Sequence, residues 1–157
     1  MGDTDVLERP AIADIAVSLV PPGAIPEVWA AVAPHLARPL EYSHGRFVLS
    51  DVFHMLTHQG YQLWIAFDAT DVNNVKGAVV SGFREYPRLK ALDLVFIGGD
   101  DLVDWKDIMM IALRKWARKN DCESIEFTGR AGWAKMLQDH GIKKQWDCYE
   151  LPMEDKE

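Results

Sequence analysis

The element order of this chain is decided by residues 101–142, which contain DLVDWKDIMMIALRKWARKN (101–120), ESIEFTG (123–129) and RAGWAKMLQDHGI (130–142). In the first stretch apolar side chains recur at i, i+3, i+4, i+7, i+8 and i+11, which predicts one long amphipathic helix. The stripe consists of Trp105, Ile108, Met109, Ala112, Leu113 and Trp116. The second stretch predicts a short strand, and the third predicts a helix that ends at Gly141. Because such a helix must bury its stripe, we expect it to lie against a sheet.

The residues on either side predict further elements of both kinds. They are a strand at 12–20, a helix at 25–36 that closes before Pro39, and a short helix that Ser50 or Asp51 caps and that ends at Gly60. Strands follow at 61–68, 76–86 and 88–99, and a last strand is predicted around Tyr149. The strands at 76–86 and 88–99 are joined around Tyr86 and Pro87, which indicates an antiparallel hairpin. Residues 68–74 are expected to form the turn that precedes it.

Length and charge limit the classes of partner. A chain of 157 residues, 48% of them hydrophobic, is long enough for one domain with a substantial core. Its formal charge of −7 argues against nucleic acid or an anionic membrane as the main partner. No apolar run reaches the length of a membrane span. We therefore expect a soluble protein, cytoplasmic in the producing cell, with a flexible N-terminal tail at 1–10 and one domain at 11–153.

The element order, together with GWAKMLQDHGI, resembles the GNAT superfamily of N-acetyltransferases. The matching positions in that motif are Ala134, Met136, Leu137, Gly141 and Ile142. The resemblance covers about residues 14–151 and implies an α/β (α+β) fold, in which a mixed, mostly antiparallel, twisted sheet is flanked by helices on both faces.

A second set of motifs is similar to the GNAT-like proteins that tailed bacteriophages encode near their virion genes. The motifs are Tyr86-Pro87-Arg88, Gly98-Gly99-Asp100-Asp101, Trp105 and Gly129-Arg130-Ala131-Gly132-Trp133. This resemblance implies a virion-associated or assembly role that binds other proteins, virion components among them. It also implies incorporation in the phage particle as a second location.

The turn after the fourth strand is where the resemblance places an acyl-CoA. It implies that the backbone of Phe96 and Ile97 binds pantetheine, and that Gly98 and Gly99 let the chain approach the diphosphate. Three acids follow these glycines, at Asp100, Asp101 and Asp104. Negative side chains repel phosphates, and the Arg or Gln that family members usually carry is missing. The alternative interpretation is that Asp100 or Asp101 caps the helix and Asp104 complements its dipole.

Acid and base candidates are few. The resemblance implies a Tyr as proton donor at the position that Leu137 occupies, so Tyr149 on the predicted last strand is the substitute, although a strand Tyr also serves packing. Asp93 and Glu126 lie on central strands and are the candidate general bases. In alternating strands both could equally face solvent. His54 and His58, four residues apart on a helix, lack a third ligand, so no metal site is expected.

Two hypotheses follow from the sequence. The first is a non-catalytic, protein-binding GNAT-like module of tailed-phage type with a degenerate acyl-CoA site and no cofactor. The second is an acetyl-CoA-dependent N-acetyltransferase with an atypical cofactor turn, which would use Phe96, Ile97, Gly98 and Gly99.

Overall fold

The structure is a computed structural model that describes residues 14–129 and 131–153. The predicted tail at 1–10 and residue Arg130 lie outside the described residues. Contacts divide the chain into a first unit that ends at Phe127 and a second that begins at Thr128. No helix among the described residues is long and apolar enough to cross a membrane.

The first unit contains a five-stranded sheet and three helices. In chain order they are β1 (Ile15–Val20), α1 (Ile25–Leu40), α2 (Leu49–His58), β2 (Gln62–Asp68), β3 (Asp71–Glu85), β4 (Lys90–Gly99), α3 (Leu102–Lys119) and β5 (Ser124–Phe127). The strands lie in sequence order, with β1 to β4 antiparallel and β5 parallel to β4. The predicted mixed, mostly antiparallel sheet is confirmed.

Helices cover both faces of the sheet because strand side chains alternate in direction. Leu63 and Ile65 join a buried cluster with Val32 of α1 and Leu56 of α2. Trp64, between them in sequence, points to the other face and meets Trp116 of α3 edge-on, with ring centroids 5.9 Å apart. The long amphipathic helix therefore packs as predicted.

A chain of three hydrogen bonds, two of them buried, lies on the α3 face. Trp64 Nε1 donates to Ser81 Oγ at 2.9 Å, and Ser81 Oγ donates to Gln62 Oε1 at 2.7 Å. Gln62 Nε2 then donates to the Gly60 carbonyl at 2.9 Å. Each member of this chain gains a partner in a place where an unpaired polar atom would be costly.

Several predicted boundaries are wrong in detail. The first helix was expected to close before Pro39, but it runs to Leu40 with Pro39 in its last turn. The turn expected at 68–74 is shorter, because β3 already begins at Asp71. Ile108, assigned to the buried stripe, is 41% exposed, whereas Met110 is buried.

The second unit contains little regular structure. The helix expected over 130–142 is a short α4 (Ala131–Met136) followed by a 3-10 turn at Gln138–His140. The last predicted strand is wrong, because no strand is present in residues 142–153. Trp146 and Tyr149 in this segment are 66% and 86% exposed.

Candidate functional site

The candidate site begins where β4 and β5 part. Their parallel pairing extends from Ala91 to Leu94 on β4 and stops at the Leu94–Phe127 pair. β4 continues to Gly99 without a β5 partner among the described residues. An extra residue at Val95 interrupts the register with β3, since Val80 faces Phe96 while Ser81 faces Leu94. Such bulges bend a strand and often lie next to active sites.

A groove of about 710 Å³ lies on the α1/α2 face beside this bulge. Its lining combines the sheet, α2 and the segment before α2. The lining residues are Arg46, Phe47, Asp51, His54, Met55, Gln59, Tyr61, Gly82, Phe83, Arg84, Asp93 and Val95. Its volume is within the range of small-molecule sites, although its lining is more polar than the mostly apolar lining that such sites usually have.

Asp93 is the most enclosed acid of this groove. It lies on β4 two residues before Val95, its side chain is 17% exposed, and its Oδ2 accepts a hydrogen bond from Arg84 Nε at 3.2 Å. Burial raises the pKa of Asp93 above its ordinary value, while the Arg84 bond acts in the opposite direction. A carboxylate with a raised pKa in a groove is a better proton acceptor than an exposed one.

Glu126 lies opposite Asp93 in the parallel β4–β5 register, beside the groove. Tyr86 donates its hydroxyl hydrogen to Glu126 Oε1 at 2.7 Å. This hydrogen bond raises the pKa of Tyr86, and the Glu126 charge also contributes to the raised pKa of Asp93. The structure thus brings the two candidate bases, Asp93 and Glu126, to one face of the sheet, where only Asp93 lines the groove.

The glycines of the predicted cofactor turn are packed against the protein's own backbone. A Cβ atom on Gly98 would lie 2.0 Å from the carbonyl oxygen of His35 in α1 and 3.0 Å from Pro39 Cδ. Gly99 has φ +150°, and a Cβ there would lie 2.5 Å from Gly77 Cα. Backbone atoms of α1 and β3 therefore occupy the space that a side chain at position 98 or 99 would need.

The acids of the turn differ in their surroundings. Asp100 Oδ1 accepts a 2.9 Å bond from Arg38 Nη2, and the guanidinium holds the pKa of Asp100 below its usual range. Asp101 occupies the N-cap position of α3 in the left-handed region (φ 52°), and its side chain makes no capping bond. The predicted cap by Asp100 or Asp101 is therefore wrong, and neither side chain blocks the first amides of α3 in that way.

The structure does not support Tyr149 as a strand residue of the site. Tyr149 lies in the irregular segment of the second unit, and its hydroxyl donates to Asp147 at 3.3 Å. Leu137, at the position expected for a donor Tyr, is buried just after α4. The His54 and His58 rings stack 4.8 Å apart on α2, and His58 Nδ1 lies 2.8 Å from Thr57 Oγ1.

Comparison with solved structures places this architecture among acetyltransferases. An aminoglycoside acetyltransferase from an uncultured soil metagenomic sample superposes with a TM-score of 0.64 at 9% identity, over 89% of this chain and 97% of that one. A ribosomal-protein-alanine N-acetyltransferase from Brucella melitensis biovar Abortus 2308 gives 0.60 at 13% identity, over 88% and 99%. The chain has the GNAT fold. A Trypanosoma brucei acetyltransferase gives a TM-score of 0.60 at 8% identity, over 89% and 100% of the two chains.

No protein-family model matches the sequence, and no curated protein matches it. Structural similarity at identities this low shows the GNAT fold alone, so the chemistry has to be argued from the residues of the site.

The residues present offer the donors that an acyl-CoA needs. The unpaired edge of β4 over Phe96–Gly99 can bond to pantetheine amides, and the first amides of α3 can bond to phosphate oxygens. Arg38 brings a cation to the turn, and Lys76 also lowers the pKa of Asp100 by its charge. These donors fit the group, although Asp101 and Asp104 oppose its negative charge.

Sequence reasoning missed the two cations that contact the acids of the site. Arg84 precedes the Tyr86-Pro87 turn, and counting the hairpin register would have placed it near Asp93. Arg38 is 62 residues away from Asp100, on the first helix, so no local pattern could reveal their contact.

Proposed function

We propose that this protein transfers an acyl group from acyl-CoA to an amine, with Asp93 as the general base. The observation that carries the proposal is the enclosed carboxylate of Asp93 in a groove beside the point where β4 leaves β5. The GNAT fold of the neighbours supports acyl transfer as the reaction class.

In this proposal each part of the site has a separate task. Acyl-CoA, when bound, supplies an acyl group activated as a thioester. The free edge of β4 at Phe96 and Ile97 positions the pantetheine arm, and Arg38 with the α3 amides balances phosphate charge. Asp93 accepts one proton from the incoming ammonium. The nitrogen then bonds to the acyl carbon as the carbon–sulfur bond breaks, and the second proton leaves with the thiol.

A calorimetric titration with acetyl-CoA, followed by a thiol-release assay over a panel of amines, tests this proposal. We expect acetyl-CoA to bind and to raise the melting temperature, because a ligand that binds only the native state stabilises it. Asp93→Asn should retain acetyl-CoA binding and lose at least about 100-fold in rate, the usual contribution of a general base. Glu27→Gln, an exposed acid on α1, is the matched control.

A second candidate is the non-catalytic, protein-binding role. The observation that favours it is the packing of Gly98 and Gly99 against His35 and Gly77, because those glycines then serve the fold instead of a diphosphate. Its setting in a tailed-phage virion rests on the sequence resemblance alone. Absence of acetyl-CoA binding at saturating concentration would reject the transferase and leave this role.

A further inference from the structure

Three charged side chains meet on one face of the sheet, at neighbouring positions of β3, β4 and β5. Asp93 and Glu126 lie directly opposite each other in the parallel β4–β5 register. Gly82 of β3 faces Asp93 from the other side, and Arg84 lies two residues further along β3. From there Arg84 Nε donates to Asp93 Oδ2 at 3.2 Å. Asp93 therefore has a cation on one side and a second carboxylate on the other.

The second carboxylate is fixed by a hydrogen bond that crosses β4. Tyr86, in the hairpin after β3, donates its hydroxyl hydrogen to Glu126 Oε1 of β5 at 2.7 Å. A carboxylate with one oxygen bound in this way has fewer positions open to it. The negative charge of Glu126 therefore stays beside Asp93.

Burial and neighbouring charge act on the ionisation of Asp93 in opposite directions. Burial and the Glu126 charge raise the pKa of Asp93, whereas the hydrogen bond and the charge of Arg84 lower it. Other titratable side chains also line the groove. They are Arg46, Asp51, His54 and Tyr61. The charges that alter the pKa of Asp93 are those of Arg84 and Glu126, so the sheet itself sets when this acid ionises.

The two oxygens of Asp93 differ in their contacts. Among residues 14–129 and 131–153, the hydrogen bond recorded for the Asp93 side chain is the one that Oδ2 accepts from Arg84. A base must lie within about 2.6–3.2 Å of the atom that gives up its proton, so a carboxylate that rotates freely is a poor base. Binding at Oδ2 restricts that rotation and leaves Oδ1 for a substrate.

We propose that Arg84 is the positioning residue for the base of the proposed transfer, because it fixes Asp93 through Oδ2 and keeps the carboxylate ionised. Oδ1 then takes the proton from the incoming ammonium and later releases it to solvent, which restores the carboxylate for the next turnover. Glu126 acts in the opposite direction and keeps Asp93 basic enough to accept a proton. This inference rests on the proposed function, because it names what prepares the base of that reaction.

Titration of Asp93 can be followed by carboxyl carbon NMR in the full chain without acyl-CoA or amine. Arg84→Gln should move the Asp93 midpoint to higher pH, because a cation that favours the carboxylate is lost. Glu126→Gln should move it to lower pH, because a neighbouring negative charge is lost. Arg84→Lys keeps the positive charge and should move the midpoint less than Arg84→Gln does. Arg88→Gln removes the same charge from an exposed position in the hairpin and is the matched control.

Kinetics with acetyl-CoA and an accepted amine give a second readout, which a purely structural role of Arg84 would not change. In Arg84→Gln the acid limb of the kcat/KM profile should move to higher pH together with the Asp93 midpoint. On the plateau kcat should fall by roughly 10–100-fold, because the carboxylate is no longer oriented, while KM for acetyl-CoA stays the same. Arg84→Lys should restore the position of the acid limb more fully than the plateau rate, since lysine cannot reproduce the Nε bond.

The possible results separate this inference from the proposed reaction. An Asp93 midpoint that is the same in the wild type and in Arg84→Gln overturns the positioning role, whether or not acetyl-CoA is consumed. A midpoint that moves while the kcat/KM profile stays in place also overturns it, and leaves the transferase standing with another base. A midpoint that moves in a protein that binds no acetyl-CoA rejects the transferase and supports only the coupling between Arg84 and Asp93. Parallel movement of the midpoint and the acid limb supports both claims.

Discussion

Replacing Gly98 by alanine should destabilise this protein, because the added methyl group would collide with the backbone of α1. The new Cβ would lie 2.0 Å from the His35 carbonyl oxygen, a distance that real Cβ atoms essentially never show, and 3.0 Å from Pro39 Cδ, which is a tight contact. No flexible side-chain end can yield, so α1 and β4 must separate. Overpacking costs about 1–3 kcal/mol, and a backbone neighbour places Gly98→Ala near the upper limit. For a domain of this size about 3 kcal/mol corresponds to a melting temperature lower by roughly 6–12 °C.

Gly23 provides the matched control for that measurement. A Cβ on Gly23 would meet nothing within 4 Å, and no positive φ is recorded there, so Gly23→Ala should change stability by less than about 1 kcal/mol. Scanning calorimetry and urea unfolding of the two variants give the comparison. Equal melting temperatures for Gly98→Ala and Gly23→Ala would refute the packing argument. If Gly98→Ala were stable and yet lost acetyl-CoA binding, the glycine would serve the cofactor.

Three further predictions concern polar contacts. Ser81→Ala leaves two buried polar partners, one of them Trp64 Nε1, without a bond, and should cost roughly 1–3 kcal/mol in urea unfolding. Arg38→Gln should raise the pKa of Asp100, measured by NMR titration, because the Arg38 guanidinium lowers that pKa in the wild type. The stability that this pair contributes is present above the unfolded pKa of Asp100 and is lost as pH falls through its folded pKa. Burial raises the folded pKa of Asp93 above its unfolded pKa. The ionisation of Asp93 should therefore reduce the free energy of unfolding as pH rises from the unfolded pKa through the folded pKa, and Asp93→Asn should remove this pH dependence.

Each of these has its own check. Ser50→Ala, an exposed position on α2, should be near neutral, and an equal loss in both serine variants would contradict the hydrogen-bond explanation. An Asp100 titration that does not move in Arg38→Gln would show that the 2.9 Å contact does not persist in solution. For Asp93, an unfolding free energy that depends on pH in the same way in the wild type and in Asp93→Asn would exclude a raised pKa.

Periodicity was sufficient for the elements of the first unit, because each carries its own local signal. The stripe from Trp105 to Trp116 predicted α3, and the Tyr86-Pro87 turn predicted the hairpin, where the Tyr86 amide donates to the Leu89 carbonyl at 2.8 Å. The resemblance to acetyltransferases then supplied the mixed sheet, which periodicity alone could not order.

The errors arose where tertiary contacts override local preference. The residues around Tyr149 were predicted to form a last strand, yet residues 142–153 form none. Strand formation depends on pairing and packing with neighbouring strands, which a local pattern does not reveal. Pro39 was expected to end α1, but a proline in the last turn forfeits only one helical bond.

For the candidate site, the sequence analysis named the acids and did not name the cations that contact them. Asp93 was named because it is an acid on a predicted central strand, whereas its proposed role as a base depends on burial that the sequence does not display. The charge of the turn was judged from Asp100, Asp101 and Asp104 alone. The structure adds Arg38 from a distant helix, so the local balance is less negative than the sequence indicated.

The contact between α1 and β4 also constrains how this protein can evolve. Pro39 has no amide hydrogen to offer the His35 carbonyl, and that carbonyl lies against the α-carbon of Gly98. A lineage that gained a side chain at position 98 would have to shorten or tilt the end of the first helix in the same step. Substitution at position 98 should therefore be rare among descendants of this sequence unless position 39 changes with it.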